Sequence, residues 1–284
     1  MNMSTTERTA SRQPTTPMKT RSGLGERPGT PPAPSGLLGS GARTDMLPVS
    51  IRMACQRCSG PIQPFRVQES KAVTRGLFVT FEGIEGCGKT TQVARVVAWM
   101  QAQGLPVLAT RNPGGTELGR LLREALLHSR GHIDAGAELL LMMADRRHHL
   151  KTMIEPALAQ GTHVLCDRYT DASRAYQGAG RGLGEKRVDE LHERWCRRDP
   201  DRTYLFDLPV DAALARVSKR RGASYDRFEE EDRDFHERVR AAYRRRARQE
   251  PKRFVVIDAS RPADSVFLSL EENLLLLFKR RRRA

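Results

Sequence analysis

No stretch of this 284-residue chain approaches the roughly 18 consecutive apolar residues that a membrane span needs, so a soluble protein without membrane contact is expected. Cysteine is scarce and scattered, at Cys55, Cys58, Cys87, Cys166 and Cys196. That odd number, with no recognisable signal peptide, points to a reducing cytoplasmic compartment. Cys55 and Cys58 form a single C-x-x-C, and no second pair of ligands follows in that segment, which argues against a zinc site. No internal repeat is visible, so a repeat architecture is not expected.

Acidic residues are also in deficit, and the formal charge is +15. The excess sits at the ends of the chain. Residues 1–75 carry 11 Lys/Arg against 4 Asp/Glu, residues 279–283 add five further cations, and residues 76–278 retain only +3. A nucleic-acid partner would have to be held by these tails, and solvated tails are the expected reading. Residues 1–75 are rich in Ser, Thr, Pro, Gly and Arg and poor in aromatics, a composition that cannot bury enough apolar surface to fold. Three explanations are open for this expected disordered extension: a solvated tail, an organelle-targeting peptide, or an upstream start read in error, with Met46 and Met53 as internal alternatives.

From residue 76 onward, apolar β-prone runs alternate with helical patterns. Strands are expected at 77–82, 106–110, 163–167, 203–208 and 254–258, and helices at 88–102, 116–128, 135–160, 185–197, 210–221, 231–249 and 262–278. Such alternation implies an α/β three-layer sandwich with a parallel sheet of about five strands and helices on both faces. Ligands in such sheets bind beyond the carboxyl ends of the strands.

The first strand runs into Gly83, Ile84, Glu85, Gly86, Cys87, Gly88, Lys89 and Thr90, a complete G-x-x-x-x-G-K-[ST] loop. Between a strand and a helix, this pattern is a phosphate cradle and places the chain in the P-loop NTPase fold. Its backbone N–H groups and the helix N-terminus, with Thr91 just inside it, suit the phosphates of ATP. Lys89 would reach the β- and γ-phosphates, and Thr90 would hold Mg²⁺. Asp167 closes the third strand, where a Mg²⁺-associated carboxylate belongs. Arg111, Arg123 and Arg168 offer guanidiniums to a phosphate. Gln177 presents a donor and an acceptor suited to the edge of a nucleobase, and Gly178, Gly180 and Gly182 allow a close backbone approach.

Taken together, these motifs resemble the thymidylate kinase family from Leu77 to the last expected helix. The loop with Glu85 is similar to the family's G-x-E-G-x-G-K-T, and residues 167–182 to its D-R-[YF]-x-x-S-x-x-A-Y-Q-G-x-G-R-G. Ala144, Asp145 and Arg146 resemble its A-D-R helix. Pro200 and Asp201, with residues 205–209, resemble its fourth strand, and Asp226, Arg227, Phe228 and Glu229 its lid. The resemblance implies transfer of the ATP γ-phosphoryl group to dTMP in dTTP biosynthesis, with a Mg²⁺ requirement and a homodimer. It implies an acceptor site of Glu85, Arg111, Arg123, Met142, Arg146, Arg168, Ser173, Tyr176 and Gln177. Lys89 and Arg168 would be catalytic, and the loop lacks an arginine, so a lid at about 218–230 would supply one from Arg220, Arg221 or Arg227.

Two positions depart from the family pattern. Asn112 stands where a Glu is usual, and Met142 where a Phe usually stacks on the thymine ring. Weaker or less selective acceptor binding is the expected consequence, since a thioether is less rigid than a ring. A related P-loop kinase with another acceptor, and a nucleotide-dependent nucleic-acid-binding protein, are the competing readings. His148 and His149 are expected on a polar helix face.

Overall fold

The computed structural model describes residues 75–129, 131–219 and 226–281. The expected extension, including Cys55 and Cys58, the lid arginines Arg220 and Arg221, and residues 282–284 of the basic tail lie outside the described residues. Five strands form one parallel sheet: β1 (Phe78–Glu82), β2 (Val107–Arg111), β3 (His163–Asp167), β4 (Arg202–Asp207) and β5 (Phe254–Asp258). Their order is β2-β3-β1-β4-β5, so β1 is central and every one of its residues is buried. A central parallel strand has both faces covered, which is why β1 reads as an apolar run rather than an alternation. Its two faces still separate by the two-residue period. Val79 and Phe81 join a cluster with Val96, Met100, Leu270 and Leu274. Phe78 joins Leu150, Ile154, Leu158, Val164 and Cys166 in a second cluster. The buried hydroxyls of Thr80 and Thr203 satisfy one another between β1 and β4 at 2.8 Å.

Helices connect the strands. The first, α1 (Lys89–Ala102), buries Val93, Val96 and Met100 at helical spacing. It ends at Gly104, whose φ of +69° lets its N–H reach the Gln101 carbonyl and that of Leu105 reach Met100. Next come α2 (Glu117–His128) and α3 (Ala135–His149), capped by the side chains of Thr116 and Asp134 respectively. α3 passes through a π-helical stretch, Leu150–Ile154, into α4 (Glu155–Ala159). Beyond β3, α5 (Thr170–Ser173) opens into a second π-helical stretch, Arg174–Gly180. Then follow α6 (Glu185–Leu191), α7 (Val210–Ser218), α8 (Arg233–Gln249) and α9 (Ala263–Arg281).

The strands lie within one or two residues of the sequence expectation. The helical segment 170–180 was not expected, because its glycines suggest a loop. Gly180 instead permits close packing against α8: a Cβ there would lie 2.6 Å from Phe235 Cε2. The segment is helical because tertiary packing outweighs the low helix propensity of glycine. His149 is another correction. It is fully buried rather than on a polar face, and its Nε2 pairs with the Thr110 hydroxyl at 2.8 Å. Burial, with Arg146 and His148 nearby, lowers its pKa to about 4, so the ring is neutral near pH 7. Among the described residues, no helix is long and apolar enough to cross a membrane.

Candidate active site

The loop between β1 and α1 is shaped by backbone that only glycine accepts easily. Gly83 has φ +141° and Gly86 φ +73°, and a Cβ would lie 2.6 Å from the Phe206 carbonyl oxygen or 2.4 Å from that of Ala213. The loop is thereby pressed onto β4 and α7. Lys89 is buried, and its ammonium donates to the carbonyls of Gly83 and Ile84, both at 2.9 Å. Gly83, Ile84 and Cys87 turn inward as the floor of the loop. Gly86, Gly88, Lys89, Thr90 and Thr91 face a cavity of about 390 Å³.

Residues from four other regions also line the cavity: Arg123 of α2, Met142 and Arg146 of α3, Asp167 and Arg168 at the end of β3, and Ser173, Tyr176 and Gln177 of the helical segment that follows. Glu85 lies among them. The second π-helical stretch gives the local widening that presents Tyr176 and Gln177 to the same space, a common location for such distortions. The sequence reading therefore places most of its candidates in one cavity at the carboxyl edge of the sheet.

Arg168 organises the centre. Its φ of +67° is in the left-handed region, a conformation that costs a non-glycine residue on the order of 1 kcal/mol. The side chain donates to the Gly83 carbonyl at 2.9 Å, to the Tyr243 hydroxyl at 3.3 Å and to Glu85 at 2.7 Å. Its guanidinium lies 4.8 Å from the centre of the Tyr176 ring. Burial works to raise the Glu85 pKa, yet Arg168 and Lys89 hold the carboxylate below its usual range. The Tyr176 hydroxyl also lies 2.7 Å from both Glu85 oxygens.

Arg123 contacts the Pro113 carbonyl at 3.2 Å. Burial lowers its pKa first, and repulsion from Arg111 and Arg168 lowers it further. Arg111 does not line the cavity but contributes to this positive field. Arg123 thus meets two like charges beside the cavity, a repulsion that a bound anion would relax.

Deeper in, Arg146 is 1 % exposed and donates to Asn112 Oδ1 and Ser173 Oγ, both at 2.9 Å. Asn112 is a second departure that the structure makes intelligible. Its other end donates to Asp145, so the amide bridges a guanidinium and a carboxylate using both halves. A carboxylate at this position would instead present oxygen to oxygen at Asp145, whose pKa burial already raises.

Thr90 and Asp167 come together at 3.4 Å. Asp167 Oδ1 is buried without a partner, which fits a bound cation or its water. Among the described residues no cluster of three or more His, Cys, Asp or Glu could hold a metal. A magnesium ion that takes most of its ligands from phosphates and water needs no such cluster.

Arg227 lies away from the cavity in this structure. It pairs with the buried carboxylate of Glu138 at 2.5 Å and with the Leu126 carbonyl at 3.1 Å. Several lining residues were not in the sequence reading as site residues: Leu127, Ala172, Arg216, Asp226, Phe228 and Glu229. Asp226, Phe228 and Glu229 belong to a recognised motif, whereas Arg216 is a lone cation on α7 with no distinguishing pattern.

Beneath the site, Glu82 is fully buried and accepts from the Tyr169 N–H at 2.8 Å and the Tyr243 hydroxyl at 2.7 Å. Burial, then the charge of Asp171, raises its pKa from 4.5 to about 7. A carboxyl that binds its proton more tightly when folded stabilises the fold fully below the unfolded pKa, and that stabilisation is lost as pH rises through the folded one. Between pH 4.5 and 7, the wild-type protein should therefore lose stability relative to Glu82→Gln. Urea unfolding of both proteins at several pH values checks this, and parallel profiles would contradict it.

The chain was compared with known proteins. The family profile described as thymidylate kinase matches residues 81–269. A thymidylate kinase of Bordetella pertussis is 50 % identical over 202 residues, covering 70 % of this chain and 95 % of that protein. Those of Methylobacillus flagellatus and Ralstonia nicotianae are 47 % and 49 % identical, over 68 % and 71 % of this chain and 93 % and 99 % of those proteins. A match of this extent, over the residues that build the loop and the cavity, establishes that the chain belongs to the thymidylate kinase family.

Proposed function

We propose that the cavity is where the γ-phosphoryl group of ATP passes to the 5′-phosphate of dTMP, giving dTDP and ADP, and that the residues described above divide the work as follows. An oxygen of the acceptor phosphate attacks the γ-phosphorus while the bond to the β,γ-bridging oxygen breaks. The acceptor is already an anion near pH 7, so no strong general base is required. Catalysis rests on positioning and on neutralising phosphate charge. The observation that carries this reading is the convergence of the loop lysine, the Arg123 and Arg168 guanidiniums and the Arg146–Gln177 pair on one cavity.

Gly83 to Thr91 bind the ATP phosphates, with Lys89 as the charge of the loop. Arg111, Arg123 and Arg168 hold the acceptor phosphate, and Glu85 stands beside the sugar. Arg146 and Gln177 meet the base edge, Met142 packs on its face, and Ser173 and Tyr176 position their neighbours. Thr90 and Asp167 would hold Mg²⁺, which when bound neutralises charge on the phosphates. Lid residues at about 218–230 close over the phosphates and exclude water. The arginine acting there is assigned to Arg220 or Arg221, because Arg227 is tied to Glu138.

We also assign residues 76–278 to one catalytic domain, residues 1–75 to an extension, and residues 279–284, of which 279–281 end α9, to a basic tail rather than a nucleic-acid site. A cytoplasmic homodimer is the assembly proposed. Large apolar side chains left exposed on α2 and α3 and after α6, Leu118, Leu121, Leu140 and Trp195, support a second copy as partner.

Lys89→Ala should lower turnover with ATP and dTMP by at least about a hundredfold, the scale of losing one preorganised charge at the transferred group. An ADP-release assay reads this, and a retained rate would remove the loop assignment. Met142→Phe should lower the KM for dTMP by roughly twofold to tenfold, the worth of an aromatic stack. An unchanged KM would show that Met142 does not face the base.

A further inference from the structure

Glu138 lies on α3 at four-residue spacing from Met142 and Arg146, on the same face of the helix. It is completely buried and does not line the cavity. Its Oε1 accepts from Gln177 Nε2 at 2.7 Å. Its Oε2 faces two guanidiniums, Arg227 at 2.5 Å and Arg181 at 3.4 Å. A carboxylate held between two cations can only accept hydrogen bonds.

That constraint passes to Gln177. Either end of a glutamine amide can face a neutral partner, but only the NH₂ end can face a carboxylate. Gln177 therefore turns its amino group to Glu138, which leaves its carbonyl oxygen as the end it can offer to the cavity that it lines. Beside it, the Arg146 guanidinium is bound to neutral atoms of Asn112, Ser173 and Met143. Those bonds use three of its five N–H groups. The wall thus offers an acceptor next to a donor. A pyrimidine edge with an N–H beside a carbonyl complements it, whereas an edge with a bare ring nitrogen beside an amino group meets like against like at both points.

We propose that Glu138 is a positioning residue that fixes the polarity of the Gln177 amide and so sets acceptor-base selectivity without touching the base. This rests on the reading of Gln177 as a base contact given above. Arg227 and Arg181 serve the same end by occupying the second carboxylate oxygen and leaving the first to the amide.

The test compares kcat/KM for dTMP and dCMP in the wild type, Gln177→Ala, Glu138→Gln and the double swap Glu138→Gln/Gln177→Glu, with thermal unfolding to confirm folded protein. Glu138→Gln should lower the dTMP/dCMP ratio at least about tenfold, mainly through the KM for dTMP, because the amide at 177 is then free to flip. In the double swap, the amide introduced at 138 donates to the carboxylate introduced at 177, which again offers an acceptor to the base. Most of the dTMP preference should return, an outcome that loss of packing alone would not produce. A wild-type ratio in Glu138→Gln, with a lowered ratio in Gln177→Ala, would overturn the positioning role while leaving Gln177 as the base contact. An unchanged ratio in Gln177→Ala would remove the base contact and the inference with it. If Glu138→Gln alone does not fold, the double swap decides: a dTMP preference supports the role and its absence overturns it.

Discussion

The arrangement of this site depends on one guanidinium. Arg168 follows the last residue of β3 in a left-handed backbone conformation, and its side chain ties together parts of the chain that are remote in sequence. It reaches the Gly83 carbonyl and Glu85 in the loop, and Tyr243 on α8, and it stacks on Tyr176. Each of those partners is itself held. Glu85 is bound by Tyr176, and Tyr243 by the buried Glu82. A planar group with fixed donors can maintain this geometry, which a flexible ammonium cannot. The backbone strain at Arg168 is maintained by these contacts, as is usual where geometry serves a reaction.

Around this centre the electrostatics are arranged before any substrate binds. Arg111 and Arg123 add positive charge that is only partly compensated, and Arg146 is a buried guanidinium hydrogen-bonded to neutral atoms. Burying a charge such as that of Arg146 is costly unless a ligand completes its environment. Anionic and carbonyl-bearing groups do so. A nucleoside monophosphate offers both at its two ends, which in the proposed binding mode are a phosphate for Arg123 and Arg168 and a base for Arg146 and Gln177. The family assignment and the charge distribution therefore point to the same ligand by separate arguments.

Much of this was legible in the sequence, and the misses have physical causes. The five strands could be read because each is an apolar run ended by turn residues, and the loop because its glycines and Lys89 occur in a fixed spacing. The helical segment 170–180 was not legible, since its glycines are there for packing on α8, a tertiary requirement with no local signature. Arg227 sits in a motif, but its partner Glu138 is 89 residues away. No pattern in the chain announces that pair. Asn112 was legible as a departure and not in its consequence. Only the geometry reveals an amide bridging Arg146 and Asp145, where weaker or less selective acceptor binding was the expectation for Asn112 and Met142 together.

The central claim is that the shape of the Arg168 guanidinium, beyond its charge, maintains the site. Arg168→Lys keeps the charge and discards the planar fork, so it tests the claim most directly. ADP release with ATP and dTMP should fall at least about a hundredfold, in a protein whose circular dichroism remains that of the wild type. Turnover close to the wild type would show that a point charge suffices and that the geometry described around Arg168 does not govern the reaction.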